Sequence, residues 1–314
     1  MLADVSVIIP TYNRLWALPR AVESCREAGG NTEIIVVDDG STDGTWDWLQ
    51  RQNDVIAIRQ DNWGKDWAVN RAFSVARGEF VRFLDSDDWI LPQANEKQIT
   101  IGRSQNADVV VAGCRVFDEY TQSEHDIGWT SCDDFIAQQL GECNSSHYSA
   151  YLFRRSFIAN IFHRQEFGPR DDRMFVIEVA MNKPRVAVYD APAFVQRHHA
   201  RERLQFGQGM RAVVTHWQHL DVCKKALAML DARGELTPRR IKAAINMLWP
   251  LAHWIAYTHL DDACAVASWI HRLDDKFVPP QKGLLGLLYR RLGFRRTEQL
   301  LRIRRFFVRL VPTK

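Results

Sequence analysis

The chain has 314 residues, of which 46% are hydrophobic and 25% charged, so it can bury the core of one large domain or of a domain with an appendage. The small net charge of +3 excludes a protein that binds nucleic acid with its whole surface. Six scattered cysteines without a CxxC pair favour reduced thiols in a cytosolic protein over a disulfide framework or a zinc site.

The first half of the chain alternates apolar runs with helical spacing. Leu15, Leu18, Val22 and Cys25 recur at helical intervals, and a second helix is predicted over residues 67–77. Strands are predicted over residues 5–9, 33–37, 55–59, 80–84 and 109–112. This alternation predicts an α/β fold in which helices flank both faces of a mostly parallel sheet. In such sheets the ligand binds at the carboxyl ends of the strands.

The second half begins irregularly and ends in helices. Residues 120–149 are polar and are predicted to form a loop near the site. Strands are predicted over residues 151–153 and 186–196, and a helix over residues 174–181. After about Leu204 only helices are predicted.

We therefore expect a catalytic domain over residues 1–205 and a helical region over residues 206–314. Thr237-Pro238 is a good helix start, with an N-cap followed by proline at the first helical position. No apolar run reaches about 18 residues, and a core strand is predicted almost at the N-terminus. Neither a spanning helix nor a signal peptide is therefore expected.

Three polar segments each follow a predicted strand: Pro10–Arg14, Asp38–Gly44 and Asp85–Asp88. The strings VSVIIPTYNR, EIIVVDDGSTDGT, QDNWGKDWAVNRAFSVARG and EFVRFLDSDD carry these segments in the order and spacing of a known family. Here the chain resembles the family 2 glycosyltransferases, strongly over about residues 4–90 and more weakly over residues 145–205.

The resemblance implies the GT-A fold and an enzyme that transfers a sugar with inversion. The donor is a nucleotide-diphosphate sugar, and the acceptor is a hydroxyl of a glycan or a lipid-linked glycan. The resemblance also implies a divalent cation, Mn²⁺ or Mg²⁺, because a hard cation held by carboxylates neutralises the charge that grows on a departing diphosphate.

Asp85 and Asp87 are the predicted metal ligands. If they lie on the end of a strand, residues i and i+2 point the same way and can face one ion. The DxD motif of the family maps onto these two positions, whereas the alternative is a capped turn before Trp89. The family often adds a histidine in an R-x-H pattern, which Arg197 and His199 match, with His198 as the less favoured ligand.

Asp39 resembles the family residue that recognises the nucleotide base, and Asp38 lies beside it. The alternative is turn chemistry, which the string Asp-Gly-Ser-Thr-Asp-Gly also favours. Arg14 and Arg71 are expected near phosphate, with a solvated side chain and a structural ion pair as the respective alternatives. The nucleotide-sugar contacts implied by the resemblance are Pro10, Thr11, Tyr12, Asn13, Arg14, Asp38, Asp39, Asp61, Gly64, Arg71, Asp85 and Ser86.

The acceptor hydroxyl requires a general base, because a neutral alcohol is a poor nucleophile. The family places this base in an acidic pair at the start of a helix, usually Glu-Asp, and here Asp171-Asp172 stands in that place. We take Asp172 as the base and Asp171 as the reserve. Helix capping is the alternative role, because a helix N-terminus favours carboxylates by itself.

The last part of the chain is strongly basic. From Lys276 to Lys314 there are 11 lysines and arginines and a single acid, Glu298, so this segment carries +10 and the rest of the chain about −7. Leucines and phenylalanines interleave with the arginines, which predicts a helix that lies on an anionic membrane surface. The alternative is a helix that packs on the catalytic domain; nucleic-acid binding is not expected.

Together these features predict an enzyme of cell-surface polysaccharide or glycolipid synthesis. It would be cytoplasmic and peripheral at the inner face of the cytoplasmic membrane, where a lipid-linked acceptor lies. Two alternatives stay open at this point: a nucleotidyltransferase, which would usually carry a glycine-rich phosphate loop near the first strand, and a non-catalytic scaffold with the same fold.

Overall fold

A computed structural model of the chain describes residues 3–201 and 210–310. The chain divides into two compact units. The first comprises Met1–Phe135 and Cys143–Arg203, and the second comprises Ile136–Glu142 and Leu204–Lys314. The segment Ile136–Glu142 therefore groups with the helical region, although it lies within the predicted catalytic domain.

The first unit is built on one sheet of nine strands in the order β3-β2-β1-β4-β8-β6-β9-β5, with β7 paired to β6. The strands are β1 (Val5–Thr11), β2 (Thr32–Asp38), β3 (Val55–Arg59), β4 (Phe80–Phe83), β5 (Trp89–Ile90), β6 (Val109–Asp118), β7 (Ser123–Ile127), β8 (Leu152–Arg154) and β9 (Val186–His198). The sheet is mixed: β3, β2, β1 and β4 run parallel, while β8, β7 and β5 pair antiparallel with their neighbours.

The parallel strands position the candidate site. Every residue of β1 is buried, as expected for a central strand that has helices on both faces. The strand was predicted to close before Pro10, but it extends to Thr11 and pairs Pro10 with Val37 and Thr11 with Asp38. The polar segments after β1 and β2 therefore begin at the same level of the sheet.

Helices connect and cover these strands. Those of the first unit are α1 (Leu18–Glu27), α2 (Thr45–Leu49), α3 (Lys65–Val75), α4 (Ala94–Ser104) and α6 (Asp171–Met181), while α5 (Phe135–Gln139) begins at the edge of this unit. Helix α3 begins two residues before the predicted start, after Gly64, whose φ of 104° suits a residue without a Cβ.

The segment predicted as an irregular loop contains additional structure. Strand β7 pairs with β6, where Cys114 lies opposite Ile127. The sequence Ser-Glu-His-Asp-Ile of β7 is polar and mostly exposed, so it has none of the alternation that identifies a half-buried strand. Arg115 stabilises the pairing through Asp126, at 2.7 Å.

The second unit consists of helices in its described residues: α7 (Met210–Ala232), α8 (Pro238–Ala256), α9 (Leu260–Leu273) and α10 (Gly283–Leu310), together with most of α5. The predicted start at Thr237-Pro238 is confirmed, since the Thr237 hydroxyl accepts a hydrogen bond from the Arg240 amide. Helix α10 is broken at Gly293, where φ is 73°. Over the described ranges, no helix combines the length and apolar character needed to cross a membrane.

Candidate active site

The loops after β1 and β2 are tied together at the carboxyl edge of the sheet. The Asn13 amide donates to the Ser41 hydroxyl at 2.8 Å, and the Asn13 side-chain oxygen accepts from the Thr42 amide at 2.8 Å. Asn13 has a positive φ of 51°, which asparagine tolerates better than most residues. Thr11 is buried at the end of β1, whereas the Tyr12 ring is exposed.

Asp38 and Asp39 are both buried and both accept hydrogen bonds from the protein. Asp38 accepts from the Ser41 amide at 3.1 Å and lies 3.5 Å from the Arg59 guanidinium. The predicted turn role, given above as the alternative to nucleotide contact, is therefore present for Asp38.

Asp39 anchors the loop that leads into α3. Its Oδ1 accepts from the Gln60 side chain at 2.8 Å and from the Trp63 amide at 3.0 Å. Its Oδ2 accepts from the Gly64 amide at 2.9 Å. A single carboxylate thus fixes both the loop and Gly64, the residue directly before the helix.

This loop lines an open cavity of about 620 Å³, a volume within the range of small-molecule sites. The lining residues are Gly40, Arg59, Gln60, Asp61, Asn62, Trp63 and Arg71. Two guanidinium groups and the half-exposed Trp63 ring give this cavity the groups that bind phosphate and stack on a base. Of the predicted nucleotide contacts, Asp61 and Arg71 line it; Gly64 lies at the end of its loop.

The acidic segment after β4 forms a turn instead of a strand end. Strand β4 ends at Phe83, and the Asp88 amide donates to the Asp85 carbonyl at 3.1 Å. The argument from strand alternation therefore does not hold, and Asp85 and Asp87 contact different partners. Ser86 is buried between them. Asp88 fastens the turn to β9 by accepting from the Arg197 amide at 2.8 Å.

Asp87 and His199 lie together, although they are far apart in the sequence. The Asp87 Oδ2 is 3.0 Å from the His199 Nε2, and the Arg14 Nε is 3.8 Å from the same oxygen. The His199 ring is buried, and its Nδ1 has no hydrogen-bond partner in the described part of the chain. His198 ends β9, and its carbonyl accepts from the Glu119 amide at 2.9 Å.

The Asp87–His199 pair fits a divalent cation. The Asp87 Oδ2 and the His199 Nε2 are 3.0 Å apart, so both atoms could contact one ion. A carboxylate oxygen and an imidazole nitrogen are also a donor set that Mn²⁺ accepts.

Asp85 contacts a residue that the sequence analysis missed. Its Oδ1 lies 2.5 Å from the Lys65 ammonium, at the first position of α3. Burial alone would lower the pKa of Lys65, but the nearby carboxylates of Asp85 and Asp172 outweigh burial and raise it. Lys65 therefore stays charged and links the turn after β4 to the start of α6.

Asp171 and Asp172 begin α6 but have different surroundings. Asp171 is 2% exposed, and its two oxygens contact the His163 Nδ1 and, at 2.6 Å, the Arg164 amide. Asp172 is partly exposed, accepts from the Arg173 amide at 2.7 Å, and interacts electrostatically with Lys65 and Arg170. Only the second acid of the pair is thus open to a substrate.

Two further buried groups, Asp66 and Tyr148, belong to this cluster. Burial and, next, the charge of Asp171 raise the pKa of Asp66 to about 7. Burial raises the pKa of Tyr148 well above its usual value, and the charges of Asp85, Asp172, Asp171 and Asp66 add to that effect in turn. Neither residue lies in the polar segments that end the parallel strands, so sequence reasoning had no reason to choose them.

The comparisons with known proteins bear on the family. The sequence model described as "Glycosyl transferase family 2" matches residues 6–162, which is half of the chain. The chain belongs to this family. The resemblance stated from the sequence is thereby confirmed.

Two curated relatives match part of the chain. Glycosyltransferase GlyG of Streptococcus pneumoniae serotype 4 is 35% identical over 121 residues, covering 37% of this chain and 40% of GlyG. The Escherichia coli protein WfaP, a UDP-Glc:alpha-D-GlcNAc-diphosphoundecaprenol beta-1,3-glucosyltransferase, is 38% identical over 99 residues, covering 30% of this chain and 39% of WfaP. The matched stretch thus spans well under two thirds of either relative.

Two solved structures share the fold. The S. aureus TarS 1–349 complex with UDP has a TM-score of 0.55 at 15% identity, covering 95% of this chain and 91% of that chain. The mannosyltransferase PcManGT from Pyrobaculum calidifontis, in complex with GDP-Man and Mn²⁺, has a TM-score of 0.54 at 17% identity, covering 96% and 88%. The predicted α/β GT-A fold is confirmed.

The hydrogen bonds of Asp39 generate a test of the cavity loop. We expect Asp39→Ala to free the Gly64 amide, because an amide hydrogen bond to a charged acceptor is worth about 1.5–3 kcal/mol. The Trp63 amide keeps a second acceptor, the Asp61 carbonyl at 2.6 Å. The hydrogen exchange of the Gly64 amide, followed by mass spectrometry or NMR, should accelerate about tenfold or more. Asp61→Ala, at an exposed position of the same loop, is the matched control. Equal effects of the two substitutions would contradict the anchoring role.

Proposed function

We propose that the chain transfers a sugar from a nucleotide-diphosphate donor to a hydroxyl of a glycan or a lipid-linked glycan, with inversion. The observation that carries this proposal is the meeting of Asp85, Lys65 and Asp172 at the carboxyl edge of the sheet. Family membership supports the reaction class. The relative WfaP is a glucosyltransferase with a diphosphoundecaprenol-linked acceptor, which supports synthesis of a cell-surface polysaccharide or glycolipid.

The donor nucleotide would occupy the cavity beside Asp39. Arg59 and Arg71 supply positive charge for phosphate, and Trp63 supplies a flat apolar face for a base. Thr11 offers a further polar contact at the end of β1, because its buried hydroxyl oxygen has no hydrogen-bond partner among the described residues. Pro10, Tyr12, Asn13 and Asp38 complete the proposed floor. The complexes of TarS with UDP and of PcManGT with GDP-Man support a nucleotide-linked donor.

Asp87 and His199 would hold a divalent cation, Mn²⁺ or Mg²⁺, with Asp85 and Ser86 beside the donor. The chemistry that such a cation supplies when bound is neutralisation of the charge that grows on a departing diphosphate. Lys65 adds a fixed positive charge next to Asp85, so this chain's own side chains contribute to the same electrostatic task. The Arg14 Nε lies 3.8 Å from the Asp87 Oδ2, so Arg14 would be able to contact a phosphate bound beside Asp87.

Asp172 would act as the general base, with Asp171 excluded from that role by its buried contacts. Its carboxylate is partly exposed and lies near the positive charges of Lys65 and Arg170. An ionised carboxylate can accept the proton of an acceptor hydroxyl as that oxygen attacks the anomeric carbon. A single displacement of this kind inverts the configuration and needs no protein nucleophile.

Helix α10 would dock on an anionic membrane surface. Arg290 and Arg291 are exposed, and four exposed leucines lie before and after them in the helix. These are Leu284, Leu287, Leu292 and Leu300, at 74%, 40%, 37% and 47% exposure. The combination suits the headgroup layer of an anionic bilayer and would place the enzyme peripherally at the inner face of the cytoplasmic membrane.

The other side of α10 packs within the second unit. Tyr289 and Glu298 are buried. The Glu298 Oε1 accepts a hydrogen bond from the Tyr289 hydroxyl at 2.6 Å and lies 2.6 Å from the His253 Nδ1. These contacts bury one face of α10 within the second unit and leave the leucine and arginine residues exposed, while packing on the catalytic domain stays the alternative to membrane docking. The side chains of residues 303–310 and all of residues 311–314, which include part of the predicted basic tail, lie outside the described residues.

The metal requirement is tested with the pair of proposed ligands. We expect Asp87→Ala to abolish Mn²⁺-dependent turnover over a panel of nucleotide sugars, and to remove the thermal stabilisation that Mn²⁺ with a nucleoside diphosphate gives the wild type. Asp54→Ala, at the opposite edge of the sheet, is the control. Transfer at the wild-type rate without any divalent cation would contradict the metal role, and nucleotidyl transfer in the panel would contradict the function itself.

The base is tested with a substitution that keeps its shape. We expect Asp172→Asn to reduce kcat by about 10²–10⁴-fold, since this is the range that general-base catalysis supplies. The dissociation constant of the donor should change by no more than about threefold, because the base contacts the acceptor. Transfer kinetics and calorimetric titration with the nucleoside diphosphate measure the two quantities. Unchanged kcat would remove Asp172 from the mechanism.

The membrane surface is tested by charge reversal on α10. We expect the double substitution Arg290→Glu with Arg291→Glu to weaken binding to phosphatidylglycerol vesicles by about tenfold or more, because each basic residue near such a surface contributes about 1 kcal/mol. Lys224→Glu with Lys225→Glu, exposed on α7, is the matched control. Co-sedimentation with vesicles measures the binding. Equal loss in both variants, or none in either, would contradict docking through α10.

A further inference from the structure

A buried polar network lies behind Asp172. It consists of Asp66 on α3, His163 in the segment before α6 and Asp171 at the start of α6, which are 8%, 6% and 2% exposed. The donor groups of the network are specific: the His163 Nδ1 contacts one oxygen of Asp171, and the Arg164 amide donates to the other at 2.6 Å. One carboxylate oxygen of Asp66 lies within 4.8 Å of an oxygen of Asp171 and of a ring nitrogen of His163.

His163 is held rigidly in this network. Its ring stacks on Phe175 of α6, with centroids 4.4 Å apart, and meets the edges of Phe83 and Tyr148. Its backbone is fixed by Asn70 of α3, whose side chain donates to the His163 carbonyl at 2.8 Å and accepts from the His163 amide at 3.0 Å. The orientation of the His163 ring towards Asp171 is therefore determined by both α3 and α6.

We propose that Asp66 and Asp171 share one proton, and that this pair acts with His163 as a positioning network for the general base. The network fixes the first turn of α6 and thereby the place of Asp172. Its catalytic part rests on the proposed function, since it presumes that Asp172 is the base.

The proton lies on Asp66 for geometric reasons. Two buried carboxylates whose oxygens lie within 4.8 Å of each other cannot both be ionised without a large cost. The Arg164 amide donates to one oxygen of Asp171, and the His163 Nδ1 contacts the other, so both oxygens of Asp171 already have partners in the protein. The shared proton is therefore placed on Asp66, which can donate it to Asp171.

The charges around Asp66 come from three elements. Lys65 of α3 favours its ionised form, whereas Asp171 and Asp172 of α6 oppose it, and Tyr148 lies against the same acids. Burial is the largest influence, and with Asp171 it raises the pKa of Asp66 to about 7. The proton is thus retained through the slightly acidic range, where an ordinary aspartate would have lost it.

A metal ion is the alternative occupant of this network. Asp66, His163 and Asp171 offer one ligand atom each, all within 4.8 Å of one another. Both oxygens of Asp171 are already bonded to the protein, so an ion would have to displace the His163 ring or the Arg164 amide. The hydrogen bonds favour a proton, and the experiment below distinguishes the two.

The first test measures stability and needs no substrate. The folded protein holds a proton on Asp66 that the unfolded chain releases near pH 4, so the wild type loses stability as pH rises from about 4 through about 7. The variant Asp66→Asn, whose side-chain amide can still donate to Asp171, should not lose stability over this pH range. We expect the Tm of Asp66→Asn relative to wild type to rise by about 4 °C or more between pH 5 and pH 8.

The matched control for stability is Asp108→Asn. Arg185 lowers the pKa of Asp108 through side-chain hydrogen bonds at the opposite edge of the sheet. This variant should therefore lose stability relative to wild type only as pH rises towards about 4, and its Tm difference from wild type should stay constant between pH 5 and pH 8, where that of Asp66→Asn changes. The shared proton would be overturned by two results together. The Tm of Asp66→Asn would stay below that of wild type at pH 8, and elemental analysis would find stoichiometric metal in the wild type.

The second test separates positioning from general damage. Asp66→Ala, which cannot donate, should lower kcat about tenfold or more with the donor KM nearly unchanged, while Asp66→Asn should restore kcat to within about threefold of wild type. The rise of kcat with pH, which reports the base, should shift in Asp66→Ala and stay in place in Asp108→Asn. Equal loss in both Asp66 variants would overturn the positioning role.

An absence of any transferase activity in the wild type would sink the proposed function alone. The stability measurements would then still decide whether Asp66 and Asp171 share a proton.

Discussion

The candidate site depends on one electrostatic constraint. Four acids, Asp66, Asp85, Asp171 and Asp172, lie close enough to the buried Tyr148 hydroxyl to oppose its ionisation. So much negative charge in a partly buried place would be costly without compensation. Lys65 supplies one positive charge beside Asp85, and the contacts with His163 and Arg164 stabilise the buried Asp171 side chain. The remaining negative charge faces the open edge of the sheet, where a cation and an acceptor would enter.

The fold explains why this charge collects where it does. Strands β1, β2, β3 and β4 run parallel, so every loop after these strands lies at one edge. Helix α6 adds its N-terminus to the site, and a helix N-terminus favours negative charge. Asp88 binds the acidic turn to β9, which delivers His199 to Asp87. The acidic side chains are thus held in place by their own contacts with backbone amides and with Lys65 and His199.

Much of this could be predicted from the sequence, because the signals were local. Strand β3 has its predicted bounds. The apolar runs of β1 and β2 are continuous and easily recognised, so the meeting of the segments that follow them could be predicted. The pairing of Asp87 with His199, 112 positions apart, was available only from the resemblance to a family. Composition and spacing alone do not reveal which side chains meet across such a distance.

What could not be predicted depends on three-dimensional packing. Lys65 and Asp66 look like ordinary polar residues in the first turn of a helix, and their burial depends on α6, which comes about a hundred residues later. The turn at Asp85–Asp88 also replaced the expected strand end, since the strand stops at Phe83. Strand β7 escaped because its polar sequence has no periodic pattern.

The attachment of Asp39 has a mechanical consequence. This carboxylate grips the amides of Trp63 and Gly64, and the residue after Gly64 is the lysine that touches Asp85. Trp63, which lines the cavity, and Lys65, which contacts Asp85, therefore belong to one short segment of the chain. The position of the lysine beside Asp85 therefore depends on the same carboxylate that shapes the cavity wall.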